Sequence, residues 1–198
     1  THPAHEPVDP VRLRASLAVV RAAAPAGDPE VVRRVRVLLD ALVERRPLDP
    51  VLDRLIGFGP GLTPSGDDAT VSVLAVAMRL GEPSRASESG SRRVTGISDD
   101  VVGRLVPAVL ARSGRTTAYG AFHLEQACAG RIGEALAGVL DAAVGGAHPG
   151  ELVRTTGVLA GVGATSGRDL LTGLTEALDR WCEPWAAGVV RSGSVRPA

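Results

Sequence analysis

Apolar side chains recur at intervals of three and four residues along most of the chain, which is the spacing that one face of an α-helix requires. The clearest stripe runs from Val31 through Leu38 to Val43, and Arg33 and Arg36 lie largely off it. Glycine and proline interrupt the repeat at short intervals, as they do where helices end. No segment shows the alternation of a β-hairpin, so the pattern predicts an all-α fold.

The run from Ala69 to Leu80 is apolar on nearly every side, which is typical of a helix in the centre of a bundle. We therefore predict a single-domain helical bundle of about eight helices around a central buried helix at about residues 67–80. The polar residues 65–68 at the start of that helix are then expected in the interior or on the floor of a cleft.

Composition supports one domain. The 198 residues are 44% hydrophobic but only 3% aromatic, which suits a core of small aliphatic side chains between closely packed helices. We predict this single domain over residues 1–183, with its last helix near 167–182. Residues 82–96, rich in Ser, Glu, Arg and Gly, are predicted to form a flexible loop, and residues 184–198 a disordered tail.

The balance of charge indicates a small-molecule partner. The 22 basic and 22 acidic residues give a formal net charge of zero without long blocks of one sign, so neither nucleic acid nor a membrane is an expected partner. Every basic residue is arginine, which excludes lysine Schiff-base chemistry and a Walker-type phosphate loop. Cys128 and Cys182 lack metal-ligand spacing and are predicted to be reduced core residues. Without a bilayer-spanning apolar run or a secretion signal, we expect a cytoplasmic protein.

Two predicted helix starts carry the same phrase: residues 65–68 are Ser-Gly-Asp-Asp, and residues 166–169 are Ser-Gly-Arg-Asp. One interpretation is a capping box, in which Ser caps the helix and the Asp three residues later bonds back to the cap. Capping does not explain the glycine, which costs about 0.5–1 kcal/mol relative to alanine inside a helix. Close approach of another group does, so we predict an anion such as phosphate or carboxylate against Gly66 and Gly167.

The whole stretch from Gly59 to Asp68, GPGLTPSGDD, favours anion binding, because alternate glycines allow a loop whose N–H groups point inward. Asp68 is predicted to be the partner of the cap, which leaves Asp67 as the free carboxylate. Asp67 and Asp169 are the predicted catalytic residues, which orient a substrate amide or act as a base if they converge. We predict no cofactor, with Mg²⁺ bound to these carboxylates as the alternative.

A third helix start, at residues 115–117, supplies a guanidinium and two hydroxyl groups. A capped helix with a solvated arginine is the alternative interpretation. In the second phrase, Arg168 either offsets the neighbouring carboxylates or binds a substrate carboxylate. The predicted substrate-binding residues are Gly59, Gly61, Thr63, Ser65, Gly66, Asp68, Arg115, Thr116, Thr117, Thr165, Ser166, Gly167 and Arg168.

The motifs GPGLTPSGDD, then RTT before an apolar helix, then GATSGRDLLTGL, resemble in this order the small AllH-type subunit of oxamate carbamoyltransferase and its relatives, from about Leu55 to Leu178. The resemblance implies transfer of a carbamoyl group between carbamoyl phosphate and an amide such as oxamate, in an assembly with larger carbamoyltransferase subunits. The sequence departs from the family pattern at Gly120, where Ser is expected, and at residues 163–164, where Gly-Ala replaces Gly-His.

Two other classes of function stay open on the sequence. Paired Asp residues at helix starts also fit a Mg²⁺-dependent hydrolase of the ADP-ribosylglycohydrolase type. A non-catalytic subunit is the third class, in which the glycine-rich loop only supports helix packing, binds an anion or docks a partner.

Overall fold

The computed structural model describes residues 8–81 and 99–190, so the predicted flexible loop at 82–96 and the last residues of the predicted tail, 191–198, lie outside the described residues. The described ranges form helices and no strand, which confirms the all-α prediction. None of these helices is long and apolar enough to cross a membrane. A 3₁₀ turn at Ser113–Arg115 separates two of them, and the α-helices are α1 (Pro10–Ala23), α2 (Pro29–Val43), α3 (Asp49–Leu55), α4 (Ser65–Gly81), α5 (Asp99–Leu110), α6 (Ala118–Cys128), α7 (Glu134–Gly145), α8 (Pro149–Ala160) and α9 (Ser166–Val190).

Aspartate caps determine where the first two helices begin. The Asp9 carboxylate accepts from the backbone N–H of Val11 at 2.9 Å, and the Asp28 carboxylate accepts from that of Glu30 at 2.8 Å. Each aspartate is followed by a proline at the first helical position, where a missing N–H costs nothing. Local sequence alone is therefore enough to start α1 and α2.

Helix α4 is the central buried helix that the apolar run predicts. Of its 17 residues, 14 are buried, and it contacts α2, α3, α5, α6 and α9. Its first turn, residues 65–68, is buried as well. The prediction that the polar start of this helix lies in the interior is confirmed.

The most extensive helix contact joins α4 and α9. Thr63, just before α4, contacts Ser166 at the start of α9, and further along both helices Ala69 lies against Gly173. A Cβ added to Gly173 would overlap the carbonyl oxygen of Ala69 and lie 2.8 Å from its Cα. The two backbones therefore touch, and both helix N-termini lie at the same end of the bundle.

Helix α9 continues to Val190, so the predicted helix end near 182 is wrong and residues 184–190 are helical. Pro184 favoured a break, because proline lacks the N–H that the helix ladder uses. The loss of one hydrogen bond does not end a helix whose preceding turns are fixed by packing, and Leu174, Leu178 and Trp181 are all buried in the core.

The substitution Gly173→Ala tests the contact between α4 and α9. Alanine normally stabilises a helix interior by up to about 1 kcal/mol relative to glycine, but here its methyl group meets the Ala69 backbone. We expect the free energy of unfolding, measured by urea denaturation, to fall by at least about 2 kcal/mol.

The matched control for this prediction is Gly157→Ala. Gly157 lies inside α8, is exposed, and has no atom within 4 Å of an added Cβ. We expect this variant to gain about 0.5–1 kcal/mol of stability. Equal effects of the two substitutions would contradict backbone packing between α4 and α9.

Candidate functional site

Hydroxyl groups join the three predicted helix starts at one end of the bundle. The side-chain hydroxyl of Thr116 donates to Oδ2 of Asp67, which connects α6 with α4. The hydroxyl oxygens of Thr63 and Ser166 lie 2.8 Å apart and share a hydrogen bond, which connects the glycine-rich loop with α9. The starts of α4, α6 and α9 therefore meet. We call this place the helix-start site and define it by Thr63, Asp67, Asp68, Thr116, Ser166 and Asp169.

Asp67 is the hydrogen-bonded carboxylate of the site, rather than the free one that the sequence suggested. Its side chain is 1% exposed, Oδ1 accepts from the N–H of Gly57 at 2.7 Å, and Oδ2 accepts from Thr116. Burial raises the pKa of Asp67, and these two hydrogen bonds act in the opposite direction. Asp67 thus holds the loop after α3 and the segment before α6 onto the central helix.

Gly120 makes room for this carboxylate, a role that the sequence analysis missed. A Cβ on Gly120 would overlap Oδ2 of Asp67 and lie 2.9 Å from the hydroxyl oxygen of Thr116. The signal available in the sequence was a glycine inside a helix, where it costs stability unless something needs the space. The departure from the family pattern at this position therefore lies beside Asp67.

The predicted capping box does not form at α4. The backbone N–H groups of Asp67 and Asp68 donate to the carbonyl of Pro64, at 2.8 and 3.2 Å, so Pro64 is the residue that precedes the helix. The side chain of Asp68 does not bond back to residue 65 but turns across to the hydroxyl groups of Thr63 and Ser166. The reason is the parallel packing of α4 and α9, which a local motif cannot anticipate.

Asp68 is buried with an incomplete set of partners. It is 5% exposed, and its Oδ2 has no hydrogen-bond partner. Burial raises the pKa of Asp68 to about 7, and the nearby charge of Asp169 adds to this shift. The hydroxyl groups of Ser166 and Thr63 act in the opposite direction but do not outweigh the burial.

Asp169 is the most isolated carboxylate of the site. It is 0% exposed, and neither of its carboxylate oxygens has a hydrogen-bond partner. The Nε atom of Arg168 lies 3.7 Å from Oδ1, which is an ion-pair distance but too long for a hydrogen bond. The backbone N–H of Asp169 donates to the carbonyl of Thr165 at 3.0 Å, so only its side chain is left without a partner.

The two glycines after the serines are explained by helix packing. A Cβ on Gly66 would overlap the carbonyl oxygen of Leu55 at the end of α3, and a Cβ on Gly167 would overlap that of Leu159 near the end of α8. The close approach that the sequence implied is therefore real. In each case the space of the missing Cβ is taken by a carbonyl oxygen in the last turn of the preceding helix.

The N–H groups of these glycines are also occupied. Gly66 donates to the carbonyl of Phe58 at 2.8 Å, and Gly167 donates to that of Val162 at 2.9 Å. In both places the acceptor residue stands three positions after the leucine that the glycine touches. The two helix starts thus repeat one local arrangement, and neither glycine N–H is available to an anion.

Two further glycines shape the loop before α4. Gly59 has φ of +105°, a region that favours glycine, and a Cβ there would lie 2.9 Å from the backbone nitrogen and from the hydroxyl oxygen of Ser65. Gly61 lies at the exposed part of the loop, with no atom within 4 Å of an added Cβ. The loop is therefore fixed at Gly59 and open to solvent at Gly61.

The third helix start has the geometry of a cap with a solvated arginine. Thr117 accepts from the N–H of Gly120 at 2.9 Å and donates to the carbonyl of Leu62, so it caps α6 and fixes the loop. The Arg115 side chain is 56% exposed and faces Asp53 at 3.7 Å. Thr116 and Thr117 belong to the network around the site, whereas Arg115 points to its periphery.

Two surface depressions flank α9 away from the helix-start site. Ion pairs line them, including Arg36 with Glu176 at 2.6 Å and Arg180 with Asp40 at 3.1 Å. These pairs join α2 to α9 and are partly exposed, which makes them surface links between helices. The predicted catalytic residues, Asp67 and Asp169, lie instead at the joined helix starts.

Comparison with known proteins identifies a family for the chain. The sequence model of the family described as oxamate carbamoyltransferase subunit AllH matches residues 55–178. This range contains every residue of the helix-start site and confirms the resemblance found in the motifs. No curated protein and no solved structure matched the chain.

Because Asp67 is hydrogen-bonded and Asp169 is not, we expect substitutions at the two positions to change the free energy of unfolding differently. Asp67→Ala leaves the Gly57 N–H and the Thr116 hydroxyl without their acceptor, so we expect the free energy of unfolding to fall by about 2–4 kcal/mol. Asp169→Asn removes a buried charge that has no hydrogen bond, so we expect no loss or a gain of about 1 kcal/mol. Urea denaturation at pH 8 with a metal chelator present measures both. A comparable loss in Asp169→Asn would contradict the assignment of Asp169 as an unpaired carboxylate.

Proposed function

The chain belongs to the AllH family, and from that premise we propose that it is a subunit of a carbamoyltransferase that moves the carbamoyl group of carbamoyl phosphate onto an oxamate-like amide. The proposal includes association with the other subunits of such an enzyme. The helix-start site is the part of this chain that we assign to the acceptor. The unpaired oxygens of Asp68 and Asp169 are the observation that supports this assignment.

The reaction sets clear demands. The amide nitrogen of the acceptor attacks the carbamoyl carbon, a C–N bond forms, the C–O bond to phosphate breaks, and inorganic phosphate leaves. The nitrogen gives up one proton to a base. An amide nitrogen is a poor nucleophile, so its orientation and the removal of its proton account for much of the catalysis.

The helix-start site offers oxygen atoms suited to the acceptor. Carboxylate oxygens accept from an amide or bind a cation that holds it, and the hydroxyl groups of Thr63 and Ser166 donate to a carboxylate. Thr63 and Ser166 are half-buried, and their hydroxyl groups bond with each other beside Asp68. Buried carboxylate oxygens without partners cost stability, and a ligand that completes their contacts is one reason for a protein to keep them.

Asp67 takes a supporting role in this proposal. Both of its oxygens already accept hydrogen bonds within the chain. It therefore positions the loop and α6 around the site. Of the two predicted catalytic residues, Asp169 is then the one whose substitution is expected to reduce activity more. Asp68 joins Asp169 in a role closer to its place among the predicted substrate-binding residues than to the predicted cap.

Phosphate release from carbamoyl phosphate, measured with and without oxamate, tests the proposal. We expect oxamate-dependent release from the chain combined with its co-encoded partner subunits, and a loss of at least about 100-fold in the assembly with Asp169→Asn, since orientation of the acceptor contributes several kcal/mol to such a barrier. Asp141→Asn is the matched control, because the Asp141 side chain is 67% exposed in a surface ion pair with Arg79 at 3.3 Å. It is expected to keep full activity.

The same assay separates the competing functions. Absence of oxamate-dependent phosphate release from both the chain and the full assembly would sink the carbamoyltransferase proposal. Full activity of the assembly with Asp169→Asn, with the variant shown to be folded by circular dichroism, would leave the chain as a non-catalytic subunit.

A further inference from the structure

The repeated arrangement at the two helix starts makes Asp68 and Asp169 equivalent. Each aspartate stands three residues after a serine that begins a helix, and each helix start packs its glycine on the preceding helix in the same way. The hydroxyl of Ser166 bonds with Thr63, so these two starts are also in direct contact. Asp68 and Asp169 are therefore a pair of carboxylates at two adjoining helix starts.

Backbone packing brings the pair together. Asp169 is one helical turn before Gly173 on the same face of α9, and Asp68 immediately precedes Ala69 in α4. Gly173 and Ala69 touch through their backbones. The two carboxylates therefore lie at the common N-terminal end of two parallel helices in contact.

The pair carries more negative charge than its surroundings offset. Oδ2 of Asp68 and both oxygens of Asp169 are buried without hydrogen-bond partners. In the part of the chain that the structure describes, the cation recorded beside them is Arg168, at 3.7 Å from Asp169. The positive ends of two helix dipoles favour carboxylates, but they supply only partial charges. A buried carboxylate needs either a counter-charge or a proton, and a bound cation supplies the former.

The oxygen atoms available match a hard divalent cation. Two carboxylates and the neighbouring hydroxyl groups of Thr63 and Ser166 provide oxygen only, which suits Mg²⁺ or Mn²⁺ rather than Zn²⁺. Among the described residues, no group of three or more His, Cys, Asp or Glu is arranged to hold a metal. A cation held by these two carboxylates would need water or ligand oxygens in its remaining positions, as Mg²⁺ usually does.

We propose that Asp68 and Asp169 bind one hard divalent cation, Mg²⁺ or Mn²⁺, between the first turns of α4 and α9. The site differs from the Mg²⁺ alternative considered on the sequence, because Asp67 is already hydrogen-bonded and Asp68 takes its place. Cation binding goes beyond the proposed carbamoyl transfer and is measurable on the chain without substrate. Bound there, the cation offers its free positions to oxygen atoms of a ligand.

Thermal unfolding and electron paramagnetic resonance of Mn²⁺ test the site on the purified full chain. After treatment with a chelator, Mg²⁺ or Mn²⁺ at about 100 times its Kd is expected to raise Tm by about 5 to 10 °C. The Mn²⁺ titration is expected to give one bound ion per chain. Asp68→Asn and Asp169→Asn are each expected to lose the shift in Tm and the bound ion, while Asp141→Asn keeps both.

Several results would overturn the proposal. One is a Tm of the unsubstituted chain that does not respond to Mg²⁺, Mn²⁺ or Ca²⁺, together with no bound Mn²⁺. Another is an unchanged response in Asp169→Asn, or an equal loss in the Asp141→Asn control. Stabilisation on acidification from pH 8 to pH 6 without any cation effect would show instead that the two carboxylates share a proton. If one variant fails to fold, the other variant and the direct Mn²⁺ titration still decide.

Discussion

The contact on which the rest of the structure depends is the backbone packing of α9 against α4 at Gly173 and Ala69. It requires a glycine, and it makes the two helices run in parallel with their N-termini at one end. Parallel helices in contact place two partial positive charges side by side, an unfavourable arrangement that acidic first turns offset. Asp68 and Asp169 stand in those first turns. The packing that stabilises the core therefore also brings the carboxylates of Asp68 and Asp169 to the same end of the bundle.

The three carboxylates divide into two kinds, and the division carries the functional argument. Asp67 has a partner for each oxygen and connects the central helix to the loop after α3 and to α6. Oδ2 of Asp68 and both carboxylate oxygens of Asp169 lack partners in the interior, an arrangement that costs stability. Proteins tolerate such costs where a ligand completes the set of contacts, so the unpaired oxygens mark the functional part of the site.

Much of this fold follows from sequence patterns, and the limits of prediction have physical causes. The apolar run after Asp68 identifies the central helix, because few other positions tolerate a helix without a polar face. The repeated Ser-Gly phrase identifies both helix starts, and the helices meet there. Which aspartate is bonded does not follow, because adjacent helix residues point about 100° apart and the rotation of α4 is set by its neighbours. Gly66 in the sequence also does not show which group approaches it, because a helix carbonyl and an anion both need the space that a Cβ would fill.

Charge decides what the site is suited to bind. The glycine-rich loop suggested a phosphate-binding loop, but the N–H groups of Gly66 and Gly167 are used within the chain, and Arg168 lies beside the buried carboxylate of Asp169. A phosphate dianion placed against such a group of oxygens is repelled unless a cation intervenes. In the proposed reaction the acceptor, which carries a single carboxylate charge, meets less repulsion at this site than carbamoyl phosphate does. In that reaction, binding of the phosphate requires positive charge beyond the guanidinium of Arg168 beside Asp169.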